Sequence, residues 1–341
     1  MILVTGGTGL VGLHLLIELL SQEKKPIRAL YRSKAKKDFS ESVFKRQYPD
    51  VASAGAQWNS IDWVKADITD VPSLETVFDG ITEVYHCAGM VSFHAKDFLK
   101  LKKVNIEGTA NMVNLSLYHK VGKFCHVSSV AVLNLNPGET ELHEGSQWNN
   151  ELDNSGYAIS KHGAEMEVWR GVQEGLQAVI VNPTVILGEG FYESGSGEIF
   201  KKVKKGVPFY TAGSSGYVYV KDVCKIMHQL MQKELFNQSF VLVSENKTYK
   251  EMITEVALKL GVQPPKMAIS KIVVKSIARL EAMLSSVSGY TPKIPIDVVE
   301  SLYTPSVYNG TKILNTLNFS YTSFDQMLAL CVQDIKHKKS H

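Results

Sequence analysis

The first twenty residues of the chain carry the pattern that most constrains its fold. A short apolar run at 1–4 is followed by Gly6, Gly9 and Gly12 and then by a helical apolar pattern over 13–20. Glycines in such a strand–turn–helix unit allow a tight turn, let a pyrophosphate approach bare backbone amides, and let the helix pack closely on the strand. An ordinary glycine turn is the alternative, but the strand before and the helix after match a dinucleotide-phosphate site at a helix N-terminus. The residues expected to contact the phosphates are Gly6, Thr8, Gly9, Leu10, Val11 and Gly12.

Length, charge and cysteine content exclude several classes of protein. The 341 residues suffice for one large and one smaller domain, and a net charge of +3 gives no reason to expect a nucleic-acid partner. The four cysteines lack C-x-x-C spacing, which argues against a zinc site and a disulfide framework and favours a reducing cytoplasm. No metal is expected. Residues 1–20 lack a basic leader and a cleavage site and contain four glycines, so neither a signal peptide nor an integral membrane segment is expected.

Strand patterns alternate with helical patterns along the first two thirds of the chain. Further strand patterns occur at 26–31, 61–67, 84–89, 124–129 and 177–183, and helical patterns at 98–118 and 156–172. This alternation predicts an α/β fold with a doubly wound parallel sheet, in which ligands bind at the carboxyl ends of the strands. The segment 217–220 is predicted to return to this sheet as another strand, with Asp222 capping the helix that follows.

The end of the second predicted strand indicates which nicotinamide cofactor the chain binds. At this point, about 20 residues beyond the glycines, an acidic residue binds the ribose 2′-hydroxyl of NAD, whereas an arginine accommodates the 2′-phosphate of NADP. The chain has Arg32 here, followed by Ser33 and by lysines at 34, 36 and 37. A guanidinium and a hydroxyl suit a phosphate, so NADP(H) is favoured over NAD(H). A solvated basic loop is the alternative.

Other strand ends supply the remaining expected cofactor contacts. Asp67 and Ile68 follow the third predicted strand, where they are placed to touch adenine. The fourth strand ends in three small residues whose backbone can lie against the cofactor, Cys87, Ala88 and Gly89. His86 beside Cys87 has no further ligands at useful spacing, so packing at a strand end is expected there and not a metal site.

Tyr157 and Lys161 are four residues apart in a predicted helix, so they share one face. An ammonium and an oxidised nicotinamide close to a phenol are expected to lower its pKa from about 10 and so to favour tyrosinate. Such a phenol can give a proton to a carbonyl oxygen, or take one from an alcohol, while hydride moves. Ser129, at the end of the fifth strand, is expected to donate a hydrogen bond to the same oxygen. Lys161 is also expected to hold the nicotinamide ribose. Tyr-x-x-x-Lys alone is a weak signal, but here it follows a strand that ends in Ser-Ser.

Several motifs occur together in the expected order. They are T-G-G-T-G-L-V-G at 5–12, Asp67, H-C-A-G at 86–89, Asn105, Ser-Ser at 128–129, Y-x-x-x-K at 157–161 and Asn-Pro at 182–183. Together they resemble the extended short-chain dehydrogenase/reductase family, also called the NAD-dependent epimerase/dehydratase family, over about the first 245 residues. The Arg32 region and the segments 308–312 and 314–319 are most similar to the dihydroflavonol 4-reductase-like and 3β-hydroxysteroid dehydrogenase-like branch.

This resemblance implies a Rossmann domain and a set of site residues. The implied catalytic residues are Ser129, Tyr157 and Lys161, with Asn105 supporting the cofactor side. Backbone contacts to the cofactor are implied at 87–89 and near Pro183, and a homodimer is implied as well.

Two positions separate the chain from the sugar-nucleotide enzymes of that family. Those members usually have Arg-Pro where this chain has Asn182 and Pro183, and a diphosphate-binding arginine where this chain has Gly-Ser-Ser-Gly at 213–216. The sequence therefore predicts an NADP(H)-dependent oxidoreductase that reduces an apolar ketone or aldehyde, with Tyr157 as general acid/base. The alternatives are a nucleotide-sugar epimerase or dehydratase that retains NAD, and a non-catalytic NADP sensor on the same fold, against which the intact Tyr–Lys pair argues.

A Rossmann domain is expected over 1–188 and 217–246, and a smaller substrate-binding domain over 189–216 and 247–341. Met90, Phe93 and His94 follow the fourth strand and are expected to face the substrate cleft. Five aromatic residues are candidates for lining an apolar ligand site, with core packing at least as well favoured: Phe191, Tyr192, Phe200, Phe209 and Tyr210.

Two further segments carry patterns of their own. Residues 188–197 are rich in glycine and serine and are predicted to form a mobile loop. Residues 272–286 are predicted to form an amphipathic helix, with Ile272, Ile277, Leu280 and Leu284 on the apolar side. This side is expected to pack on its own domain, and a dimer contact, a substrate lid and peripheral membrane attachment are the alternatives.

Overall fold

The structure is a computed structural model, and it describes residues 1–288 and 292–337. The last four residues of the predicted second domain, 338–341, lie outside the described residues. The strands are β1 (Ile2–Thr5), β2 (Ile27–Tyr31), β3 (Asp62–Lys65), β4 (Glu83–His86), β5 (Lys123–Val127), β6 (Ala178–Pro183), β7 (Val185–Leu187), β8 (Phe209–Tyr210), β9 (Ser214–Tyr219), β10 (Gln238–Leu242), β11 (Glu245–Thr248) and β12 (Met267–Ala268). The α-helices are α1 (Leu10–Gln22), α2 (Lys34–Gln47), α3 (Ala54–Ser60), α4 (Val71–Leu74), α5 (Phe98–Leu101), α6 (Gly108–Tyr118), α7 (Gly156–Gln173), α8 (Glu198–Lys204), α9 (Val220–Gln232), α10 (Tyr249–Leu260), α11 (Lys271–Ser288), α12 (Thr311–Leu317) and α13 (Phe324–His337).

Seven strands form one sheet in the order β10–β6–β5–β4–β1–β2–β3, and every neighbouring pair is parallel. Two separate apolar clusters pack against the sheet. One includes side chains of α1 and α9, and the other includes side chains of α6 and α7. The predicted doubly wound parallel α/β fold is confirmed. Because the strands are parallel, their carboxyl ends, and the residues that follow them, meet along one edge of the sheet.

The position of the predicted strand at 217–220 needs a correction. Residues 217–219 belong to β9, which pairs with β7 and β11 in a small three-stranded sheet and not with the large sheet, and Val220 begins α9. The seventh strand of the large sheet is β10, which pairs with β6 and was not predicted. An alternating pattern identifies a strand, but it does not identify the sheet to which the strand belongs. Asp222 lies in the first turn of α9, but its carboxylate accepts hydrogen bonds from the backbone and hydroxyl of Thr322 (2.7 and 3.0 Å) and does not cap the helix.

The helix predicted at 98–118 is interrupted. A π-helical segment, Lys102–Glu107, separates α5 from α6. Such wide turns shift the helix face by one residue and often occur at functional sites. Here the turn brings Asn105 to a fully buried position.

The segment predicted as a mobile loop is packed over its first half. Phe191 and Tyr192 are buried, and the Tyr192 hydroxyl donates a hydrogen bond to the carbonyl oxygen of Cys331 (2.9 Å). Phe200 is buried in the same core cluster. For these three aromatic residues the ligand-lining interpretation is therefore wrong, and core packing is what the structure shows. Phe209 and Tyr210 form β8, which pairs with β12 in a separate two-stranded sheet.

The amphipathic helix α11 packs through a different face from the predicted one. Val274 and Ala278 are buried, in a cluster with Val299. Ile272 and Leu280, on the predicted packing side, are 79% and 59% exposed. The reason is that the pattern contains apolar residues on two faces, and periodicity does not tell which face packs against the rest of the protein.

The predicted domain boundaries remain a prediction.

Over the residues that the structure describes, no helix is both long enough and apolar enough to cross a bilayer.

Candidate active site

The glycine turn after β1 forms a compact cradle at the start of α1. Gly6 has a positive φ of 68°, and a Cβ added there would lie 2.8 Å from the backbone nitrogen of Ala88. A Cβ on Gly12 would lie 2.7 Å from the carbonyl carbon of Gly6, so only glycine lets α1 start this close to β1. Gly9 is the N-cap residue, and in the described structure no side chain caps the helix. The first amides of α1, including those of Leu10 and Val11, are thus suited to an anion, as a pyrophosphate requires.

The end of β4 lies directly against this turn. The Ala88 amide donates a hydrogen bond to the Thr5 hydroxyl (3.0 Å), which also contacts the ring of His86 (2.8 Å). Burial lowers the pKa of His86 to about 3, and burial raises the pKa of the Cys87 thiol to about 12, so both side chains are neutral at pH 7. The His86 ring lies between two hydroxyls, because one ring nitrogen contacts the Thr5 hydroxyl and the other contacts the Thr109 hydroxyl (3.0 Å).

Gly89 lies close to two side chains of the candidate site, those of Asn105 and Lys161. A Cβ there would lie 3.5 Å from Oδ1 of Asn105 and 3.9 Å from Nζ of Lys161. The Asn105 side-chain oxygen accepts a hydrogen bond from the Met90 amide (2.7 Å). Its side-chain nitrogen donates hydrogen bonds to the Met90 carbonyl oxygen (3.0 Å) and the Ser160 hydroxyl (2.9 Å). Asn105 therefore ties the loop after β4 to helix α7.

Lys161 is buried, and its ammonium donates to the carbonyl oxygen of Val127 at the end of β5 (2.7 Å). Burial lowers the pKa of Lys161 to about 8, opposed by the carboxylate of Glu165. This group is thus poised to change its charge close to neutral pH.

The expected lowering of the Tyr157 pKa by Lys161 is not what the structure shows. Burial raises the pKa of the phenol, and the contact that opposes this rise is a hydrogen bond with the Ser129 side chain. The Lys161 ammonium instead donates its hydrogen bond to a backbone carbonyl oxygen of β5. The phenol of Tyr157 is therefore protonated at pH 7, with the Ser129 hydroxyl beside it.

A cavity of about 250 Å³ opens beside Tyr157. Phe93 lies edge-on to the Tyr157 ring, with ring centroids 5.4 Å apart. Asp297, from a short helical turn at Ile296–Val298, reaches the cavity from the carboxyl-terminal part of the chain. Its lining residues are Ser92, Phe93, His94, Ala95, Phe98, Leu101, Gly156, Tyr157, Ile159 and Asp297. Phe93 and His94 face this cleft as expected, whereas Met90 uses its backbone to bind Asn105.

The basic segment after β2 lies at the start of α2. Arg32 is 58% exposed and contacts the Asp67 carboxylate (3.4 Å), while Ser33 caps α2 by accepting a hydrogen bond from the Lys36 amide (3.5 Å). Partial burial raises the pKa of Asp67, but hydrogen bonds from Thr69 and the charge of Arg32 outweigh it, so this pKa is lowered. A guanidinium next to a helix N-terminus suits a phosphate group.

The other predicted cofactor residues line the same edge of the sheet. The carbonyl oxygen of Thr8 accepts from Ser40 (3.1 Å), and Pro183 ends β6 in register with Leu242. The Ile68 side chain packs into the core against the space left by Gly108.

Three polar residues of the site were missed by sequence reasoning. Ser160 bonds Asn105, and Glu165 accepts hydrogen bonds from Ser128 (2.6 Å) and Asn182 (2.9 Å). Their spacing from Tyr157 on one helix was a usable signal. Asp297, 140 positions beyond Tyr157 in the chain, gave no such signal.

Comparison with known proteins agrees with this geometry. The model of the NAD-dependent epimerase/dehydratase family matches residues 2–242. A protein of Synechocystis sp. named putative dihydroflavonol 4-reductase is 26% identical over 332 residues, covering 96% of this chain and 92% of its own. The UDP-glucose 4-epimerase of Vibrio cholerae is 23% identical over 275 residues, covering 76% and 75%.

A solved structure shares the fold over nearly the whole chain. The UDP-glucose 4-epimerase of Thermus thermophilus, in complex with NAD, has a TM-score of 0.72 and 19% identity, covering 98% of each chain. Fold, glycine cradle and family match point to the same assignment. The chain belongs to the NAD-dependent epimerase/dehydratase family, and it is an NAD(P)-dependent enzyme of that family.

Proposed function

We propose that this enzyme is an NADP(H)-dependent oxidoreductase that reduces the carbonyl group of an apolar ketone or aldehyde. The observation that carries the proposal is the cavity beside Tyr157, in which Phe93 and Phe98 supply aromatic surface. Among its described lining residues there is no lysine or arginine, and Asp297 adds a carboxylate. A carboxylate repels the diphosphate of a nucleotide sugar but not a neutral carbonyl compound.

The residues of the site have different roles in this reaction. When bound, the nicotinamide ring supplies the hydride. Tyr157 gives its proton to the carbonyl oxygen, and its raised pKa keeps the phenol protonated until then. Ser129 donates a hydrogen bond to the same oxygen, a contact whose loss typically reduces the rate about 10²-fold or more. Lys161 holds the nicotinamide ribose and adds positive charge near the proton donor.

Arg32 supports NADP(H) as the cofactor. Its contact with Asp67 is exposed and long, and such surface pairs contribute at most about 1 kcal/mol. A 2′-phosphate, with its higher charge and three oxygens, can therefore displace Asp67 from the guanidinium. Ser33 and the N-terminus of α2 directly follow Arg32 and add a hydroxyl and the positive end of a helix dipole.

The relative named putative dihydroflavonol 4-reductase, which matches over nearly its whole length, supports a reductase. The relative named UDP-glucose 4-epimerase supports a second candidate function. That candidate is a nucleotide-sugar epimerase or dehydratase that retains NAD throughout its cycle. A cytoplasmic location and a homodimer belong to the proposal as well. The four cysteines are all free, which fits a reducing compartment.

The test uses purified protein freed of nucleotide. NADPH and NADH are titrated, and the complex is then offered apolar ketones and aldehydes in parallel with UDP-, GDP- and dTDP-sugars, with thermal shift and NADPH oxidation as readouts. We expect tighter binding of NADPH and oxidation that depends on a carbonyl compound. NAD that copurifies and does not dissociate, together with stabilisation by a sugar nucleotide, would overturn the proposal in favour of the epimerase.

A further inference from the structure

Glu165 is a buried carboxylate one helical turn beyond Lys161 on α7. Only 8% of the surface of Glu165 is exposed to solvent. Burial of a carboxylate is costly unless hydrogen bonds replace water. Glu165 meets this requirement with three donors: Oε2 accepts from the Ser128 hydroxyl (2.6 Å) and the Asn182 amide (2.9 Å), and Oε1 accepts from the Trp169 indole (3.3 Å).

The donors connect Glu165 to the strand ends that carry the site. Ser128 directly precedes Ser129, and its amide hydrogen-bonds Val181 of β6 (2.8 Å). Asn182, on β6, also donates to the carbonyl oxygen of Ser129 (3.3 Å). The carboxylate thus ties helix α7, which carries Tyr157, to the turn that carries Ser129.

The charge of Glu165 also bears on Lys161. Three further titratable groups interact electrostatically with this ammonium, namely Cys87 and His86 from the β4 side and His126 from β5. Burial raises the pKa of Cys87 and lowers the pKa of both histidines, so all three are neutral at pH 7. Burial lowers the pKa of His162, on the helix itself, as well. Glu165 is therefore the negative charge that offsets the burial of Lys161 among these groups.

We propose that Glu165 is a positioning residue of the active site, whose carboxylate fixes the Ser129 turn to the catalytic helix and keeps the buried Lys161 ammonium charged. The inference rests on the proposed function, because it takes Lys161 as the residue that holds the cofactor. It assigns a second task to the helix that carries Tyr157 and Lys161. The same helix that supplies the proton donor also supplies the counter-charge.

The test is the pH dependence of cofactor affinity, which needs no substrate. The affinity of the wild-type protein for NADPH, followed by fluorescence titration, should fall as the pH rises through about 8, where Lys161 loses its proton. In Glu165→Gln the midpoint should move to lower pH by about one unit, so that the affinity at pH 8 is about fivefold below wild type. Glu167→Gln, two residues along the same helix and paired with Arg170, is the matched control and should leave the midpoint unchanged.

A second variant keeps the test decisive if Glu165→Gln does not fold. In Glu165→Asp the side chain is one carbon shorter, so the carboxylate lies farther from Lys161. The midpoint should therefore move in the same direction by a smaller amount. A midpoint that stays at the wild-type value in whichever variant folds would refute the role of Glu165. A wild-type protein that binds neither NADPH nor NADH would instead refute the proposed function. The two failures are therefore distinguishable.

Discussion

Two alanine substitutions in the glycine turn separate folding from cofactor binding. In Gly12→Ala the new Cβ would lie 2.7 Å from the carbonyl carbon of Gly6 and 3.0 Å from Cα of Gly7. Both are backbone atoms, so the turn itself must open. Overpacking of this kind costs about 1–3 kcal/mol, of which the better helix propensity of alanine restores up to about 1 kcal/mol. We expect a net loss of about 1–2 kcal/mol in the free energy of unfolding.

Gly9→Ala makes the opposite prediction. The nearest atom to its Cβ would be the Gly6 carbonyl oxygen at 3.4 Å, an ordinary contact, and the φ of −102° suits alanine. Its stability should stay within about 0.5 kcal/mol of wild type. In the proposed binding mode, however, the methyl group occupies the approach to the amides of α1. We therefore expect the affinity for NADPH to fall at least about tenfold, which corresponds to about 1.4 kcal/mol.

The assay for both variants is urea unfolding of the nucleotide-free protein, followed by NADPH titration of the folded protein. We expect a destabilised Gly12→Ala and a stable Gly9→Ala that binds poorly. A stable Gly9→Ala with wild-type affinity would refute the claim that the cofactor phosphates lie against this turn.

Two further predictions concern charge. Because Arg32 is proposed to bind the 2′-phosphate, Arg32→Asp should weaken NADPH binding at least about tenfold and leave NADH binding unchanged or improved in calorimetric titration. Equal losses for both cofactors would contradict this role. Burial lowers the pKa of His86 to about 3, whereas the unfolded chain protonates it near 6.5. Protons therefore favour the unfolded state, and the free energy of unfolding should fall by about 2 kcal/mol from pH 7 to pH 5 through His86 alone. An unchanged urea midpoint over this range would be evidence against the neutral, buried ring.

Much of the fold was predictable because its signals are local. The strand, glycines and helix at 1–20 lie next to one another in sequence, and their spacing alone indicates the turn. Strand β10 was missed, since its five residues, of which only the last three are apolar, give little periodicity. The face of α11 that packs was predicted wrongly, because the choice between its two apolar faces depends on Val299, which lies 25 residues beyond Val274.

The arrangement of the candidate site was predictable where a local motif sets the spacing of its residues, and not where the fold brings distant groups together. Tyr157, Lys161 and Ser129 follow from spacing and from the position of strand ends. The Lys161 part of the expected lowering of the Tyr157 pKa is absent from the structure, because the Lys161 ammonium turns to the backbone of β5, which sequence spacing does not show. Asp297 reaches the cavity from a distant segment, which no local pattern reveals.

The most direct test of the proposed reaction is the rate of NADPH oxidation by Tyr157→Phe with the carbonyl compound that the wild-type protein reduces best. We predict that turnover is lost, at least about 10²-fold, while the affinity for NADPH stays close to wild type, because the phenol is assigned to the substrate and Lys161 to the cofactor. Substantial turnover in the variant, or loss of NADPH binding together with turnover, would contradict Tyr157 as the proton donor.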